Sequence, residues 1–418
     1  TGAASWDTTV KTGDFTAVNG VGYFVNTTSG AITVTLPASP SAGDVVAVSD
    51  YANNFATNNL TLGRNSSNIG GNAADSVLVV NGAAVTLVYV DATKGWIVTD
   101  SGLQSDASES KTYIIASVSG AGNTLTTVDT NFKLATFTGP GTFTVCSVGN
   151  AAGSTSVDYV VVAGGAGGGG GNAGSSIGAG GGGAGGYRES PGTVSGYTAS
   201  PLGAAPATAI TVTAQGYAIS IGGGGPGGPG NANGTNGTPT TALSIVSTGG
   251  GYGAGRSVGP EIGGPGGSGG GGANEKTGGT GNTPPVSPSQ GFPGSLPAGS
   301  TCGSGSGGGA GSTVNMSTPR EGVTGGSGVT SEITGSPVAR AGGGGGGTSG
   351  NNPTVGVGGA GGGGTGGGPS FSDPGTAATV NTGGGGGGAT SSNSNPVSGG
   401  NGGNGGSGIV LIRYKFQN

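Results

Sequence analysis

The chain has 418 residues, among them 108 glycines, 12 Lys and Arg, 17 Asp and Glu, and no histidine, for a net charge of −5. The few basic residues are scattered, which excludes the concentrated basic footprint of a nucleic-acid-binding protein; the poverty of charge also excludes the Lys- and Glu-rich class of disordered chains. Without histidine the commonest general base and metal ligand is missing, and Cys146 and Cys302 lack the spacing of a zinc site or a disulfide framework.

No run approaches the ~20 apolar residues of a membrane span, so membrane insertion is not expected. The first residues, TGAASWDTTV, show neither the charged nor the apolar region of a signal peptide and do not begin with Met. The expectation is a trimmed chain or a fragment of a longer one.

Residues 1–104 read as a small β-domain. Asn19-Gly20 and Asn81-Gly82 each sit between apolar runs, the pattern of a tight hairpin turn. Ile32, Val34 and Leu36 alternate with Ala31, Thr33 and Thr35, as in a half-buried strand. A polar stretch at 101–109, SGLQSDASE, marks a boundary. Residues 105–163 supply further strands at 113–118, 134–137, 142–148 and 157–163. Together with the last apolar run, 409–416, they are expected to form one sheet or small sandwich that brackets the rest.

The bracketed body, 164–408, returns again and again to glycine, as at 165–171, 222–225, 269–272, 342–347, 361–364 and 383–388. Three arrangements are open to such a sequence. A flexible linker needs no flanking strands and does not run to this length. A collagen-like helix needs a strict Gly-X-Y period, which 342–347 breaks. The third is a packed bundle of polyglycine II helices, extended like polyproline II, with three residues per turn and ~3.1 Å rise. Without a Cβ, neighbouring helices approach to backbone contact, and each N–H and C=O finds a partner sideways. The fold class expected is therefore all-β with a polyglycine II bundle and essentially no α-helix. Gly342, Gly345, Gly383 and Gly386 should lie inside that bundle.

The motif screens are lean. Gly165–Gly170 satisfies G-x-G-x-x-G after a strand, but no helix follows to receive a pyrophosphate. Scattered acids, such as Glu189, Glu261 and Asp373, form no paired-carboxylate motif. No catalytic residue, cofactor or metal is expected. The sequons at Asn26, Asn59, Asn65, Asn233, Asn236 and Asn315 read as chance in an Asn- and Thr-rich chain. The large side chains of the body are more informative. Aromatics and Arg dominate binding hot spots, so Tyr252, Arg256, Phe292, Met316, Arg320 and Phe371 are the candidates for contacting a partner. They are expected on loops that emerge at one end of the bundle, the longest being 311–338 and 348–357.

The segments TVKTGDFTAVNGVGYFVNTTSGAITVTLPASPSAGDVVAVSDYANNF, VDYVVVAGGAGGGG, GGGGAGGYRESPG, GNTPPVSPSQG and GGNGGSGIVLIRYKF resemble glycine-rich tail-fibre proteins of marine bacteriophages. More distantly, the body is similar to the tail-fibre-tip adhesins of T-even-like phages and to the glycine-rich domain of receptor tyrosine kinases of the anaplastic lymphoma type. The first resemblance implies a virion tail fibre, acting outside the cell on a host-surface glycan or outer-membrane protein. It also implies other tail proteins as partners and a homotrimer built through residues 1–104. A structural virion fibre or decoration protein, or a secreted bacterial adhesin, are the other functions such a chain would fit.

Overall fold

The computed structural model describes residues 4–104, 111–172, 177–256, 260–295, 304–313, 321–348, 354–370, 372–391 and 399–418. Among them the protein is all-β, its helix limited to short 3-10 turns such as Pro201–Gly203. The chain divides into two compact units, Thr1–Ser110 and Lys111–Asn418.

In the first unit the chain alternates between two sheets. Strands β1 (Ser5–Lys11), β3 (Val21–Val25) and β5 (Val45–Asp50) lie parallel in one; β2 (Phe15–Thr16), β4 (Ile32–Thr35) and β6 (Leu60–Gly63) lie parallel in the other. Each pair of strands is thus one rung of a flattened coil. The coil closes with antiparallel strands, β7 (Ser76–Leu78) on β6, then β8 (Ala83–Asp91) on β5 and β9 (Gly95–Leu103) on β8. Val25, Val34, Val46, Val48, Leu60, Leu62, Leu87 and Trp96 fill the space between the sheets.

The hairpins expected at Asn19-Gly20 and Asn81-Gly82 are absent. Both dipeptides are corners where the chain changes sheet, because β2 and β3, like β7 and β8, belong to different sheets. A type I′ hairpin needs two residues with positive φ. Here only Gly20 (φ 79°) and Gly82 (φ 72°) have it. Each asparagine instead bonds across to another rung: Asn19 Oδ1 accepts from Val45 N at 2.9 Å, and Asn81 Oδ1 from Ala56 N at 2.7 Å. The buried Asp50 carboxylate accepts from the backbone N–H groups of Asn54, Phe55 and Gly82, tying a loop to a corner.

The second unit opens with a sandwich. One sheet has β10 (Ile115–Ser119), β13 (Gly141–Ser147) and β17 (Gly216–Ile219); the other runs β11 (Thr124–Val128), β12 (Phe132–Phe137), β22 (Ile409–Lys415), β14 (Ser156–Val162), β15 (Tyr187–Glu189), with β16 (Ile210–Thr211) also on β14. The two runs that bracket the glycine body pair directly and antiparallel, Asp158 opposite Arg413 and Val162 opposite Ile409. Successive side chains of a strand face opposite ways. Val157, Tyr159, Val161, Val410, Ile412 and Tyr414 therefore fill the core between the sheets, while Val160, Val162, Ile409 and Leu411 pack the other way, with Tyr187, Ala310, Ile333 and Ala341 of the body. Burial on both faces explains why these strands read as continuous apolar runs. Two small hairpins, β18 (Thr240–Ala242) with β19 (Ile245–Ser247) and β20 (Val329–Ser331) with β21 (Val338–Arg340), interrupt the body.

The rest of the body is a bundle of extended segments bonded sideways. Segment 163–171 lies at its centre with six neighbours. Its N–H groups donate in rotation: Gly164, Gly167 and Gly170 to 238, 235 and 232; Gly165, Gly168 and Gly171 to 406, 403 and 400; Ala166 and Gly169 to 183 and 180. Its carbonyls accept in the same rotation from Gly250, Gly253 and Arg256, from Gly225 and Gly228, and from Gly386 and Ala389. A partner that recurs every third residue is the signature of three residues per turn, as expected for polyglycine II. No residue of this segment has positive φ, and all are buried. Every polar backbone group from 164 to 170 is thereby paired inside the protein, which is what its burial demands.

Gly342, Gly345, Gly383 and Gly386 are all buried. Gly345 donates to Gly364 O and accepts from Gly388 N, both at 2.9 Å. A Cβ there would lie 1.9 Å from Gly356 O; at Gly386 it would lie 2.0 Å from Gly403 O, and at Gly342 2.4 Å from Gly359 O. Gly383 plays a different part: with φ 69° it ends the turn that enters its segment, and its Cα faces Val162.

Candidate functional site

A bundle made of backbone admits only small side chains inside, such as those of Ala166, Ala254 and Ser268, and leaves the large ones to its rim. The outer segments show this as a three-residue rhythm. In 222–230 the residues Gly223, Pro226 and Pro229 are exposed while Gly222, Gly225 and Gly228 are buried. Proline suits the exposed position, since its fixed φ matches the extended helix and its missing N–H has no neighbour to bond. Thr354, Val357 and Ala360 form the same kind of exposed row on 354–360. These rows close the bundle against further lateral growth, as charges and prolines do at sheet edges.

Asparagine closes the rim in another way. Segments 232–238 and 249–256 run antiparallel, with Gly234 N donating to Gly253 O and Gly237 N to Gly250 O. Alternating with those bonds, Asn233 Oδ1 accepts from Gly255 N at 2.7 Å, and Asn236 Oδ1 from Tyr252 N at 2.8 Å. Segments 222–230 and 399–407 repeat the device. Asn404 Oδ1 accepts from Gly227 N and Asn401 Oδ1 from Gly230 N, while Gly402 and Gly405 donate to 228 and 225. Each side-chain carbonyl replaces a backbone carbonyl that no further segment provides. Asn233 and Asn236, set aside above as chance sequons, thus have a role; the signal was their spacing of three, each before glycine, in NGTNG and NGGNG.

Three of the six partner-contact candidates fall within the described residues, and the bundle does not gather them. Tyr252 lies part-way along its segment, whose next residue bonds Gly167. Its ring rests on a neighbouring backbone: a Cβ on Gly264 would meet Tyr252 Cδ1 at 2.4 Å. Arg256 lies at the end far from the sandwich, where its backbone N reaches Gly170 O and its guanidinium pairs with Glu261. Glu261 also accepts from Asn274 Nδ2 at 2.8 Å. Phe292 is 37% exposed and lies near the sandwich end, two residues after Gln290, whose carbonyl accepts from Tyr187 N. Tyr252 and Phe292 belong to bundle segments and not to connecting loops, so nothing draws them to one end. Met316, Arg320 and Phe371 lie outside the described residues. The described parts of the long interludes are not free loops either: 322–328 bonds 354–360 inside the bundle, and Ile333 is fully buried.

One cluster of polar side chains is buried. Tyr187 Oη donates to Glu189 Oε2 at 3.0 Å, Ser331 Oγ donates to Oε1 at 2.5 Å, and Ser200 N donates to Oε2 at 3.0 Å. Burial first, then the Glu189 charge, pushes the Tyr187 phenol well above its usual range. Burial lowers the Arg340 guanidinium, which sits in the field of both. Alongside, the buried Asp158 carboxylate accepts from Ser190 Oγ, Ser195 N and Ser195 Oγ. Both carboxylates are nearly inaccessible, at 2% and 0% exposure. What they do is pin β15, the 195–200 turn and the β20–β21 hairpin to the sandwich. No group of three or more metal-ligating acids and thiols occurs among the described residues.

In the first unit, Val77, Val79, Val80, Ala83 and Leu103 line an open groove of about 390 Å³, with no charged side chain in its lining.

These features define a protein class: an all-β chain whose body is a backbone-bonded glycine bundle set on a β-sandwich. Residues 136–415, which run from β12 to β22, match the family described as a glycine-rich domain, and the chain belongs to that family. No curated protein matches it.

Proposed function

We propose that the protein is a bacteriophage tail-fibre subunit that attaches the virion to a molecule on the host surface, without catalysis. The observation that supports this reading is the separation of scaffold from chemistry. The interior of the bundle is backbone against backbone, so it supplies stiffness and shape while the rim carries the side chains. Rigid scaffolds that present variable surface residues are how recognition is commonly built. The rim carries few charges, so affinity rests on stacking, hydrogen bonds and shape, and changes little with salt. Each contact is weak, and several fibres on one particle multiply them.

The test is competition. Purified chain, added in excess, should slow adsorption of the phage that carries it, and antibodies against the chain should decorate the tail in electron micrographs. Undiminished adsorption, or label on the head alone, would favour a structural virion protein.

A further inference from the structure

On the rim, Asn236 accepts from the backbone N of Tyr252 and Asn233 from that of Gly255, on the segment whose Tyr252 ring is laid against Gly264. We infer that Tyr252, Asn233 and Asn236 form a binding site for an uncharged glycan; the inference rests on the attachment reading and specifies the ligand class and the place.

The amides are locked by their carbonyls, which accept from Tyr252 N and Gly255 N. Their nitrogens have no partner among the described residues. Asn236 is exposed and Asn233 half-buried, so each offers a pre-oriented donor. Being three residues apart, they stand one helical turn apart, about 9 Å at 3.1 Å per residue. Thr235, also exposed, adds a hydroxyl along the same segment, whereas the Thr238 hydroxyl is taken up by the backbone of Gly223. The Tyr252 ring is laid against Gly264 on the neighbouring segment, so it is held without needing a ligand to order it, and its half-exposed remainder offers an apolar face.

A flat apolar face beside fixed donors matches the surface of a sugar, with C–H groups on the ring face and hydroxyls at the rim. Donors fixed in advance lose little entropy on binding. The sequence has no Asp, Glu, Lys or Arg between Glu189 and Arg256, and Arg256, next to the Gly255 that bonds Asn233, is paired with Glu261, so the site offers no unpaired charge and favours a neutral sugar over an acidic one. Two donors one turn apart fit an extended oligosaccharide of more than one residue. The twin pair Asn401 and Asn404 makes the same carbonyl bonds, but segments 222–230 and 399–407 contain no aromatic residue. That pair is the internal control.

The substitution that separates binding from scaffolding is Asn→Asp, which keeps the carbonyl-type acceptor and removes the NH2 donor. The intact chain, N233D/N236D, Y252L and N401D/N404D would be titrated against a panel of neutral hexose oligosaccharides and a matched acidic panel. At least one neutral oligosaccharide should bind the intact chain. N233D/N236D and Y252L should each weaken it about tenfold or more, the scale of one or two lost hydrogen bonds. N401D/N404D should bind as the intact chain does, and melting temperatures should agree. As a check independent of variants, the side-chain amide NMR signals of Asn233 and Asn236 should shift on adding that oligosaccharide. Unchanged binding in N233D/N236D and Y252L, unmoved amide signals, or no neutral ligand at all would overturn the site. Adsorption competition by the intact chain in that last case would leave host attachment standing on another ligand.

Discussion

At the scale of single residues, glycine does two jobs here that composition does not distinguish. Gly345 is surrounded by backbone, and an added Cβ would lie 1.9 Å from Gly356 O. Neither that carbonyl nor the segment behind it moves without breaking its own bonds. Gly345→Val should therefore give no folded product, judged by solubility and by loss of a cooperative melt, and Gly345→Ala should be severely destabilised. Gly223 lies on an exposed row where the only nearby atom is Thr238 Oγ1 at 3.9 Å. Gly223→Ala should be neutral or stabilising by about 0.4–1 kcal/mol, since it restricts mainly the unfolded chain. Equal effects at the two positions would refute the packed bundle. Tyrosine supplies a pH test. Burial raises the phenols of Tyr159, Tyr187 and Tyr197, and it pushes Tyr414 up to about 12. A phenol whose value is higher in the folded state than the usual 10 costs no stability below pH 10. Above it, the unfolded chain loses the proton first, and stability falls as pH rises towards 12 and beyond. The melting temperature should fall steeply from pH 10 upward, while phenolate absorbance of these residues should appear only with unfolding. Full ionisation of all tyrosines in the folded protein would contradict their burial.

At the scale of elements, the bracketing strands were legible because both carry runs of β-branched and aliphatic residues, Val160–Val162 and Ile409–Ile412, and a strand buried on both faces has few other ways to read. β22 lies between β12 and β14, so it joins the two halves of its sheet. Deleting residues 411–418 should expose two edges at once and yield an aggregating product; a soluble, protease-resistant truncation would count against this topology. The corners at Asn19-Gly20 and Asn81-Gly82 were misread for a physical reason. Local sequence fixes the positive φ of Gly20 and Gly82, but whether the flanking strands pair with each other or with other rungs depends on partners far away in the chain. The Asn233 and Asn236 device was missed although three residues per turn was expected, because each asparagine also heads a sequon and the sequence does not say which segment lies alongside to offer it an N–H. Tyr252 was picked for its size as a loop residue, and it stands in a bundle segment. Exchange of residues between relatives should accordingly spare 322–328 and Ile333, because replacing the whole of 311–338 would remove part of the bundle and its core.

At the scale of the whole molecule, the two units pose separate questions. The first unit's uncharged groove, edged by Val77, Val79, Val80 and Leu103, each 40–53% exposed, is the kind of apolar patch that marks protein contacts. It is compatible with the proposed self-association through residues 1–104, for which light scattering should give three times the 38.2 kDa of one chain; a monomeric mass would remove the trimer and leave the second unit's account unchanged. The second unit stands or falls on its glycine. Ordering a glycine costs more than ordering any other residue, and a net hydrogen bond returns only about 0.5–1.5 kcal/mol. The bundle therefore persists through many segments that bond one another and through the sandwich that pins their ends. Hydrogen exchange at the amides of 164–171, 342–347 and 383–388 tests this most directly. If these glycines form the centre of a cooperative bundle, their amides should exchange as slowly as those of β14 and β22, opening only with global unfolding. Exchange at the rate of a free glycine-rich chain, with β14 and β22 still protected, would show the glycine body to be a linker and would contradict the account.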